Sequence, residues 1–273
     1  MTAGSYYWKF LSLPALALAI GYVLLLLAAC TMVDNALYHP NYGSRRAPAG
    51  LKKIKLPDGS AVAVLHLPNP SARYTLWFFH GNAEDLGDLE PFFMALRDQG
   101  FAVFAHDYPG YGLSDGKPTE ASLGAASRAA RKYLREELNV PAARTLIYGR
   151  SLGGGPAVQM AVEEAPAGLV LQATFVSVYR VVTRWPILPF DQFQNLAKLP
   201  QVKCPVLIMH GENDEVIPFR HGEVLFAAAN EPKRSLWVPG AHHNDFIEVA
   251  GQRYWSALRD FSDACAKSTG SNP

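Results

Sequence analysis

The sequence predicts an α/β fold in which a mostly parallel sheet is covered by helices on both faces. Short, almost entirely apolar runs of strand length alternate with longer segments that have the composition of helices. Strands of this kind are buried on both faces, as a parallel sheet between two helical layers requires. The predicted strands are residues 75–79, 101–107, 145–149, 168–173, 205–210 and 235–239. The predicted helices are residues 86–99, 121–138, 152–165, 221–230 and 245–265.

The sheet is predicted to begin with an antiparallel pair. Residues 51–67 alternate apolar and polar side chains on either side of Pro57-Asp58-Gly59, which is a turn signal. A β-hairpin is therefore expected before the alternating strands and helices.

The N-terminal region predicts membrane association. Residues 10–29 carry no charged side chain, which fits a bilayer-spanning anchor or the apolar centre of a secretory signal. The run ends in Leu27-Ala28-Ala29-Cys30, which resembles the signal of bacterial lipoproteins, in which the cysteine is lipidated. We expect residues 1–30 to be a lipoprotein-type signal peptide that places the chain in the cell envelope. An uncleaved transmembrane anchor and simple secretion are the alternatives.

The rest of the chain is predicted to form one domain with a short insertion. Residues 31–50 are turn-rich and are interpreted as a tether, residues 51–265 as the domain, and residues 266–273 as a polar tail. Residues 174–203 interrupt the alternation of strands and helices. Long excursions in compact domains are usually functional covers or disordered. This one is aromatic enough to pack, so we expect a small cap.

Charge and cysteine content exclude some functions. A formal net charge of +1 without a long run of Lys or Arg gives no electrostatic basis for nucleic-acid binding. If Cys30 is lipidated, Cys204 and Cys265 remain, and their spacing indicates neither a metal site nor a disulfide framework. Cys204 is expected to be a small buried residue. A Cys204–Cys265 bridge stays open for an oxidising compartment.

The most specific motif is Gly149-Arg150-Ser151-Leu152-Gly153, which follows an apolar strand and precedes a helix. This context is typical of a turn that presents a serine nucleophile, with flanking glycines that allow a close approach of neighbouring elements. The helix N-terminus offers unpaired N–H groups to a developing negative charge. Ser151 is therefore the candidate nucleophile.

A serine hydroxyl needs a base to take its proton. The downstream histidines are His210, His221, His242 and His243. The last two lie in a loop after the last apolar strand, where ligands meet an open α/β sheet. The loop alone leaves His242 and His243 as competing candidates for the base.

A carboxylate should orient that histidine and stabilise its protonated form. Asp214 lies between the serine and the histidines in the chain, at the end of a predicted strand. Asp191 falls in the expected cap, and Glu212 and Glu215 are less well placed relative to the strand end. Asp214 is therefore the candidate acid.

The tetrahedral oxyanion needs backbone donors. The N–H of Leu152, directly after the nucleophile, is expected to be one of them. The loop after the strand 75–79 should supply the second, and the N–H of Asn82 is our choice, with Ala83 behind it. His80 and Asp107 are expected to be structural.

Together these motifs resemble the α/β-hydrolase superfamily. More narrowly, the chain is similar to the small abhydrolase-domain group, which includes membrane-associated depalmitoylases and bacterial envelope hydrolases. The resemblance covers residues from about 50 to 265, and it implies the α/β-hydrolase fold. The motifs that carry it are His80-Gly81-Asn82, Asp107-Tyr108-Pro109-Gly110-Tyr111-Gly112, Gly149-Arg150-Ser151-Leu152-Gly153, His210-Gly211-Glu212-Asn213-Asp214 and His243-Asn244-Asp245.

The resemblance also implies roles. In that group the catalytic histidine directly precedes Asn-Asp, which favours His243 over His242. This chain departs from the group in having His242 where a small residue is usual. It also has Leu123-Gly124-Ala125-Ala126 where an aspartate is often found.

The implied chemistry is hydrolysis of an ester or thioester through an acyl-enzyme on Ser151. A small-molecule or acylated substrate would be bound, without a metal or other cofactor. A peptidase or amidase of the same fold and a non-catalytic binding protein are the alternatives. The sequence does not determine the oligomeric state.

Overall fold

The computed structural model describes residues 14–24, 26, 37–183 and 191–268. These residues fall into two units, Met1–His39 and Pro40–Pro273. In the first unit, residues 14–24 form helix α1, whose apolar side chains are largely exposed. Among the residues described, no helix combines the length and apolar character that a bilayer crossing needs. Cys30 and its preceding residues 27–29 lie outside the described residues, so the lipoprotein signal stays a prediction.

In the second unit, the described residues form one eight-stranded sheet with the order β1-β2-β4-β3-β5-β6-β7-β8. The pairs β1–β2 and β2–β4 are antiparallel, and every other neighbouring pair is parallel. The strands are β1 Lys52–Lys55, β2 Ala61–Leu67, β3 Thr75–Phe79, β4 Ala102–His106, β5 Thr145–Arg150, β6 Gly168–Gln172, β7 Val206–Gly211 and β8 Lys233–Val238. The predicted α/β class with an antiparallel start is confirmed.

Helices cover the sheet and connect its parallel strands. They are α2 Leu86–Asp98, α3 Glu120–Glu136, α4 Gly154–Glu163, α5 Tyr179–Val182, α6 Asn195–Lys198, α7 Arg220–Ala228, α8 Phe246–Ala250 and α9 Gln252–Ser268. The single helix predicted for residues 245–265 is therefore wrong in one respect, because α8 and α9 are separate. Gly251 divides them with φ +53° and ψ −131°, a backbone conformation outside the helical region that glycine adopts at little cost.

Burial explains the strand sequences. Every residue of β3, β4 and β6 is buried, as expected for strands covered on both faces. Cys204 and Cys265 are also buried, and no disulfide bond joins them. Burial raises the pKa of each thiol to about 12, so both behave as small apolar residues rather than as nucleophiles.

The interval between β6 and β7 contains the short helices α5 and α6. Its C-terminal part packs against the domain, since Phe193 fills the space above Gly155 and the Asn195 side chain donates to the Phe175 carbonyl at 3.0 Å. Residues 184–190, in the middle of the expected cap, lie outside the described residues. The cap therefore stays a prediction.

Part of the predicted tether lies against helix α2. The Arg45 N–H donates to Asp85 Oδ2 at 2.6 Å, and the Ser44 N–H donates to Asp88 Oδ2 at 3.1 Å. Asp85 is the N-cap of α2 and also accepts the Asp88 N–H. The buried Asp85 carboxylate therefore caps helix α2 and also hydrogen-bonds the segment that precedes the domain.

Candidate active site

Ser151 lies in a sharp turn between β5 and α4. Its φ is +50°, a left-handed conformation that is strained for a residue with a side chain and typical of functional turns. The flanking glycines permit this turn. A Cβ at Gly149 would lie 2.7 Å from the Ala157 Cβ, and one at Gly153 would lie 2.1 Å from the Phe79 carbonyl oxygen. The Thr174 hydroxyl donates to the Ser151 carbonyl at 2.8 Å and holds the turn in place.

His243 lies within hydrogen-bond distance of Ser151. Its Nε2 is 3.0 Å from Ser151 Oγ, and its Nδ1 is 2.8 Å from Asp214 Oδ2. These side chains come from the loops that follow β5, β7 and β8, which are parallel strands ending at the same edge of the sheet. The Asn213 N–H donates to the Ala241 carbonyl at 3.0 Å and ties the second loop to the third. The serine, histidine and aspartate singled out from the sequence therefore meet in one chain of contacts.

The Asp214 side chain is fully buried and strongly hydrogen-bonded. Its Oδ1 accepts the N–H groups of Val216 at 3.0 Å and Ile217 at 2.7 Å. Burial opposes ionisation, but hydrogen bonds from His210, His243 and Ile217 outweigh it and hold the pKa of Asp214 below its ordinary value. Asp214 is therefore a carboxylate at neutral pH, as the orientation of an adjacent histidine requires.

His210 is a second histidine on the same carboxylate. Its Nε2 lies 2.8 Å from the Ile217 carbonyl oxygen and 3.3 Å from Asp214 Oδ2. Since a carbonyl oxygen can only accept, Nε2 carries a proton, which the carboxylate shares. Sequence reasoning considered His210 only as a base. No sequence pattern signals this contact, because His210 lies in β7 and Asp214 lies in the loop after it.

His242 has a different environment. Its side chain is exposed, and its Nδ1 lies 3.1 Å from Glu215 Oε2, another exposed side chain. Two other candidates, Asp191 and His221, contact backbone groups rather than Ser151. Asp191 accepts the N–H groups of Tyr179 and Gln192, and His221 Nδ1 accepts the Val176 N–H at 3.2 Å. The geometry therefore favours His243 and Asp214 over these competitors.

The loop after β3 lies against Ser151. A Cβ added at Gly81 would lie 3.7 Å from the Ser151 Cβ, and the Asn82 side chain accepts the Tyr111 hydroxyl at 2.6 Å. The Gly81 N–H donates to Glu84 Oε1 at 2.5 Å, so it is committed within its own loop. The Leu152 N–H at the first turn before α4 and the Asn82 N–H stay our candidates for the oxyanion donors.

Glu84 and Arg150 form an ion pair across the two loops, which sequence reasoning missed. Arg150 Nε donates to Glu84 Oε1 at 3.1 Å, and a second guanidinium nitrogen donates to Oε2. Arg150 directly precedes Ser151, whereas Glu84 lies in the loop of Asn82. No sequence pattern links residues this far apart, and only the adjacency of β3 and β5 brings them together.

His80 and Asp107 form a buried pair behind the loop. His80 Nδ1 lies 2.7 Å from the Gly81 carbonyl oxygen and must carry a proton, while Nε2 lies 3.5 Å from Asp107 Oδ1. A bare nitrogen facing a carboxylate would be repulsive, so the pair requires a second proton. Burial raises the pKa of Asp107 to about 8, in agreement with a protonated carboxyl at neutral pH. This pair supports the loop, as expected for structural residues.

Within the described part of the chain, no three His, Cys, Asp or Glu side chains form a group that could hold a metal ion.

The sequence is similar to a protein family and to individual proteins that are named as hydrolases. The model of the family described as serine aminopeptidase, S33, matches residues 70–198. Alpha/beta hydrolase domain-containing protein 17B of Homo sapiens is 41% identical over 207 residues, which cover 74% of this chain and 71% of that protein. Alpha/beta hydrolase domain-containing protein aho-3 of Caenorhabditis elegans is 42% identical over 205 residues, covering 72% of this chain. This chain spans only 59% of the nematode protein's length.

Solved structures show the same fold at low identity. An esterase of Pyrococcus furiosus superposes with a TM-score of 0.65 at 18% identity, covering 78% of this chain and 91% of that one. A monoacylglycerol lipase of Paleococcus ferrophilus superposes with a TM-score of 0.59 at 19% identity, covering 75% and 99%. At this level of identity the likeness concerns the fold alone.

Proposed function

Because this chain belongs to the alpha/beta hydrolase domain-containing proteins of the α/β-hydrolase superfamily, we propose that it is a serine hydrolase that cleaves carboxylic ester or thioester bonds through an acyl-enzyme on Ser151. One observation carries this proposal. Contacts of 3.0 and 2.8 Å run from the Ser151 hydroxyl through His243 to the buried Asp214. This is the geometry that activates a serine, with the nucleophile in reach of a base and the base oriented by a third group.

In the first step Ser151 Oγ attacks the carbonyl carbon, and its proton passes to His243 Nε2. The imidazolium that forms is stabilised by Asp214, which accepts the Nδ1–H. The carbonyl oxygen becomes an oxyanion that accepts the N–H groups of Leu152 and Asn82. Loss of one such donor costs about 3 kcal/mol of transition-state stabilisation in serine hydrolases. Collapse of this intermediate breaks the bond to the leaving oxygen or sulfur, and the His243 Nε2 proton goes to the leaving group.

In the second step water attacks the acyl-enzyme. His243 Nε2 takes a proton from the water, and a second tetrahedral oxyanion forms at the same donors. Its collapse breaks the bond to Ser151 Oγ, which recovers its proton from His243. The products are a carboxylic acid and the free enzyme.

The second candidate is an amidase or peptidase, which the description of the matching family model as a serine aminopeptidase favours. The same residues serve both reactions, but an amine leaves less readily than an alkoxide or thiolate and depends more on protonation by His243. Comparing p-nitrophenyl esters and acyl thioesters with aminoacyl amides distinguishes the two. Faster turnover of amides than of esters would reverse our choice.

Location and substrate are part of the proposal. We propose that residues 1–29 are removed as a signal peptide and that lipidated Cys30 attaches the chain to the cell envelope, so that its substrates are acyl groups presented at a membrane. Mass spectrometry of the mature N-terminus tests this directly. A diacylated cysteine at the N-terminus is expected, whereas an intact Met1 would favour the uncleaved transmembrane anchor. Equal rates for short and long acyl chains would contradict the membrane-presented substrate.

A fluorophosphonate probe tests the nucleophile, because it phosphonylates activated serines. Wild-type protein should be labelled, and S151A should not. S235A is the matched control, since Ser235 is an exposed serine on β8 away from these loops. Labelling that persists in S151A would contradict the proposal. A folded wild-type protein that takes no label and hydrolyses no ester would favour a non-catalytic binding protein.

A further inference from the structure

The oxyanion loop, residues 80–84, and the nucleophile turn, residues 149–153, are joined by one ion pair. Strands β3 and β5 are parallel neighbours, with Phe79 opposite Gly149, so the two loops emerge side by side. Two guanidinium nitrogens of Arg150 donate to the two carboxylate oxygens of Glu84 and so link the loops. The side chain of Glu84 is only 21% exposed and that of Arg150 only 20%, which reduces the screening that weakens surface ion pairs.

Glu84 also fixes the backbone of its own loop. Its Oε1 accepts the Gly81 N–H at 2.5 Å and lies 2.5 Å from where a Cβ of residue 81 would be. A side chain at position 81 would therefore displace the carboxylate. Contacts thus run from the Gly81 N–H through Glu84 to Arg150, which is bonded directly to Ser151.

Arg150 has independent support. Its guanidinium carbon lies 5.5 Å from the centroid of the Phe78 ring and 5.7 Å from that of Phe92. Contacts of this kind hold a cation over the face of an aromatic ring. Arg150 is therefore fixed by the domain, whereas Glu84 is fixed chiefly by Arg150 and Gly81.

Two consequences follow for an oxyanion formed at Ser151. Because the Gly81 N–H donates to Glu84, it does not donate to the oxyanion. The same bond orients the backbone that carries the next N–H, that of Asn82. The Glu84 carboxylate would repel a negative charge formed nearby, since like charges disfavour each other most in partly buried sites. The Arg150 guanidinium neutralises that carboxylate. The pair therefore combines a geometric role with an electrostatic one.

We propose that Glu84 and Arg150 are positioning residues that hold the two backbone donors of the oxyanion hole together, with Arg150 also cancelling the charge of Glu84. This inference rests on the proposed function. It predicts that losing Arg150 lowers activity more than losing Glu84. Without Glu84 the loop loses its hydrogen bond to Arg150, and the charge left unpaired is the cationic guanidinium, which does not repel an oxyanion. Without Arg150 an unpaired carboxylate stays beside the oxyanion.

Four variants test this inequality: E84A, E84Q, R150M and the double variant E84A/R150M. Removing a direct oxyanion donor costs about 10²–10³-fold in kcat. We therefore expect about a tenfold loss in E84A, a smaller loss than from removing a donor outright. E84Q keeps an acceptor for the Gly81 N–H and should lose less than E84A. R150M should lose most, and the double variant should be faster than R150M alone. The losses should fall on kcat with KM nearly unchanged.

A trifluoromethyl ketone provides a second readout, because its adduct with Ser151 places an oxyanion in the hole. Its affinity should fall in the same order as kcat. E163A is the matched control, since Glu163 forms a bidentate pair with Arg128 on the helices α3 and α4. It should change neither kcat nor inhibitor affinity. Thermal unfolding checks that each variant is folded, and if R150M does not fold, the order of E84A, E84Q and wild type still decides.

A double variant slower than R150M, or losses confined to KM, would overturn the inference while the proposed function stands. The same holds if E84A and E84Q match wild type. A wild-type protein without ester hydrolysis or probe labelling would refute the proposed function itself. The two failures are therefore distinguishable.

Discussion

Two neighbouring histidines of one loop each face a carboxylate, but in opposite surroundings. His243 contacts Asp214 at 2.8 Å, and their side chains are 12% and 0% exposed. His242 contacts Glu215 at 3.1 Å, and their side chains are 52% and 57% exposed. The two pairs, which we call the inner and the outer pair, have similar contact distances. Only the inner pair reaches the Ser151 hydroxyl.

The difference lies in how each carboxylate is supported. Asp214 accepts two backbone N–H groups besides the histidines, so it stays ionised although it is buried. Glu215 lies in solvent, where screening and side-chain entropy leave exposed ion pairs with little energy. A histidine–carboxylate contact alone therefore does not indicate a catalytic pair. Burial, additional donors and an adjacent nucleophile do.

The largest expected effect is the loss of His243. H243A removes the proposed base and should lower kcat/KM for a p-nitrophenyl ester by about 10⁴–10⁶-fold. H242A removes the outer histidine and should change it by less than about threefold, because the His242 side chain contacts the exposed Glu215 rather than Ser151. Steady-state kinetics of both variants measure the contrast. Comparable losses in the two variants would erase the distinction between the pairs.

Removing the charge of Asp214 should lower kcat far more than removing the charge of Glu215. D214N keeps the shape of the side chain but removes its charge and the preferred tautomer of His243, so a loss of about 10³–10⁴-fold in kcat is expected. E215Q makes the same chemical change in the outer pair and should have almost no effect on kcat. If E215Q lost as much activity as D214N, the outer pair would have to belong to the mechanism.

A smaller effect is expected from His210, which supports the inner carboxylate. A hydrogen bond to a buried charged group contributes about 1.5–3 kcal/mol, so H210F should lower kcat by about tenfold or more. His210 helps to hold the pKa of Asp214 down, and its loss should raise that pKa. Activity should therefore be lost at a higher pH on the acid side than in wild type.

H221F is the control for that experiment, since His221 is also buried but contacts the Val176 N–H instead of Asp214. It is expected to leave the acid side of the pH profile in place. An unshifted profile in H210F would show that His210 does not act through the aspartate.

The smallest effect concerns stability and the third pair, His80–Asp107. The raised pKa of Asp107 means that its stabilising contribution is present below about pH 4 and is lost as pH rises through about 8. D107N has no such titration. Its free energy of unfolding relative to wild type should therefore increase by about 1–3 kcal/mol between pH 5 and pH 9.

Urea unfolding at the two pH values measures this change. D58N is the control, because hydrogen bonds from Ser60 lower the pKa of Asp58 and keep it charged over this range. A constant difference between D107N and wild type would mean that Asp107 is ionised in the folded protein.

Much of the fold and of the candidate site follows from local sequence patterns. Strands such as residues 75–79 are predicted by their apolar composition and length. The sharp turn at Ser151 is predicted by the glycines on either side of it. Asp214 follows from its place at a strand end, whereas the place of the last loop leaves His242 and His243 as competitors, and only the family resemblance favours His243. The separation of α8 from α9 was missed because one glycine within a helical pattern does not reveal its φ.

What escaped prediction depends on which strands are neighbours. Glu84 and Arg150 lie 66 residues apart, and their contact exists because β3 pairs not only with β4, the next strand in the chain, but also with β5. His210, the second histidine that contacts Asp214, was missed for a related reason. It projects from a strand while its partner lies in the following loop, a spacing for which no periodic rule applies. Contacts of this kind require coordinates.

The most direct test of the central claim is to trap the acyl-enzyme. Wild-type protein is mixed with a p-nitrophenyl ester, quenched in acid within the first turnovers, and examined by intact and peptide mass spectrometry. We predict one acyl group per chain, located on Ser151, and its absence in H243A under the same conditions. An acyl group on another residue, or turnover of the ester by S151A at the wild-type rate, would contradict the mechanism.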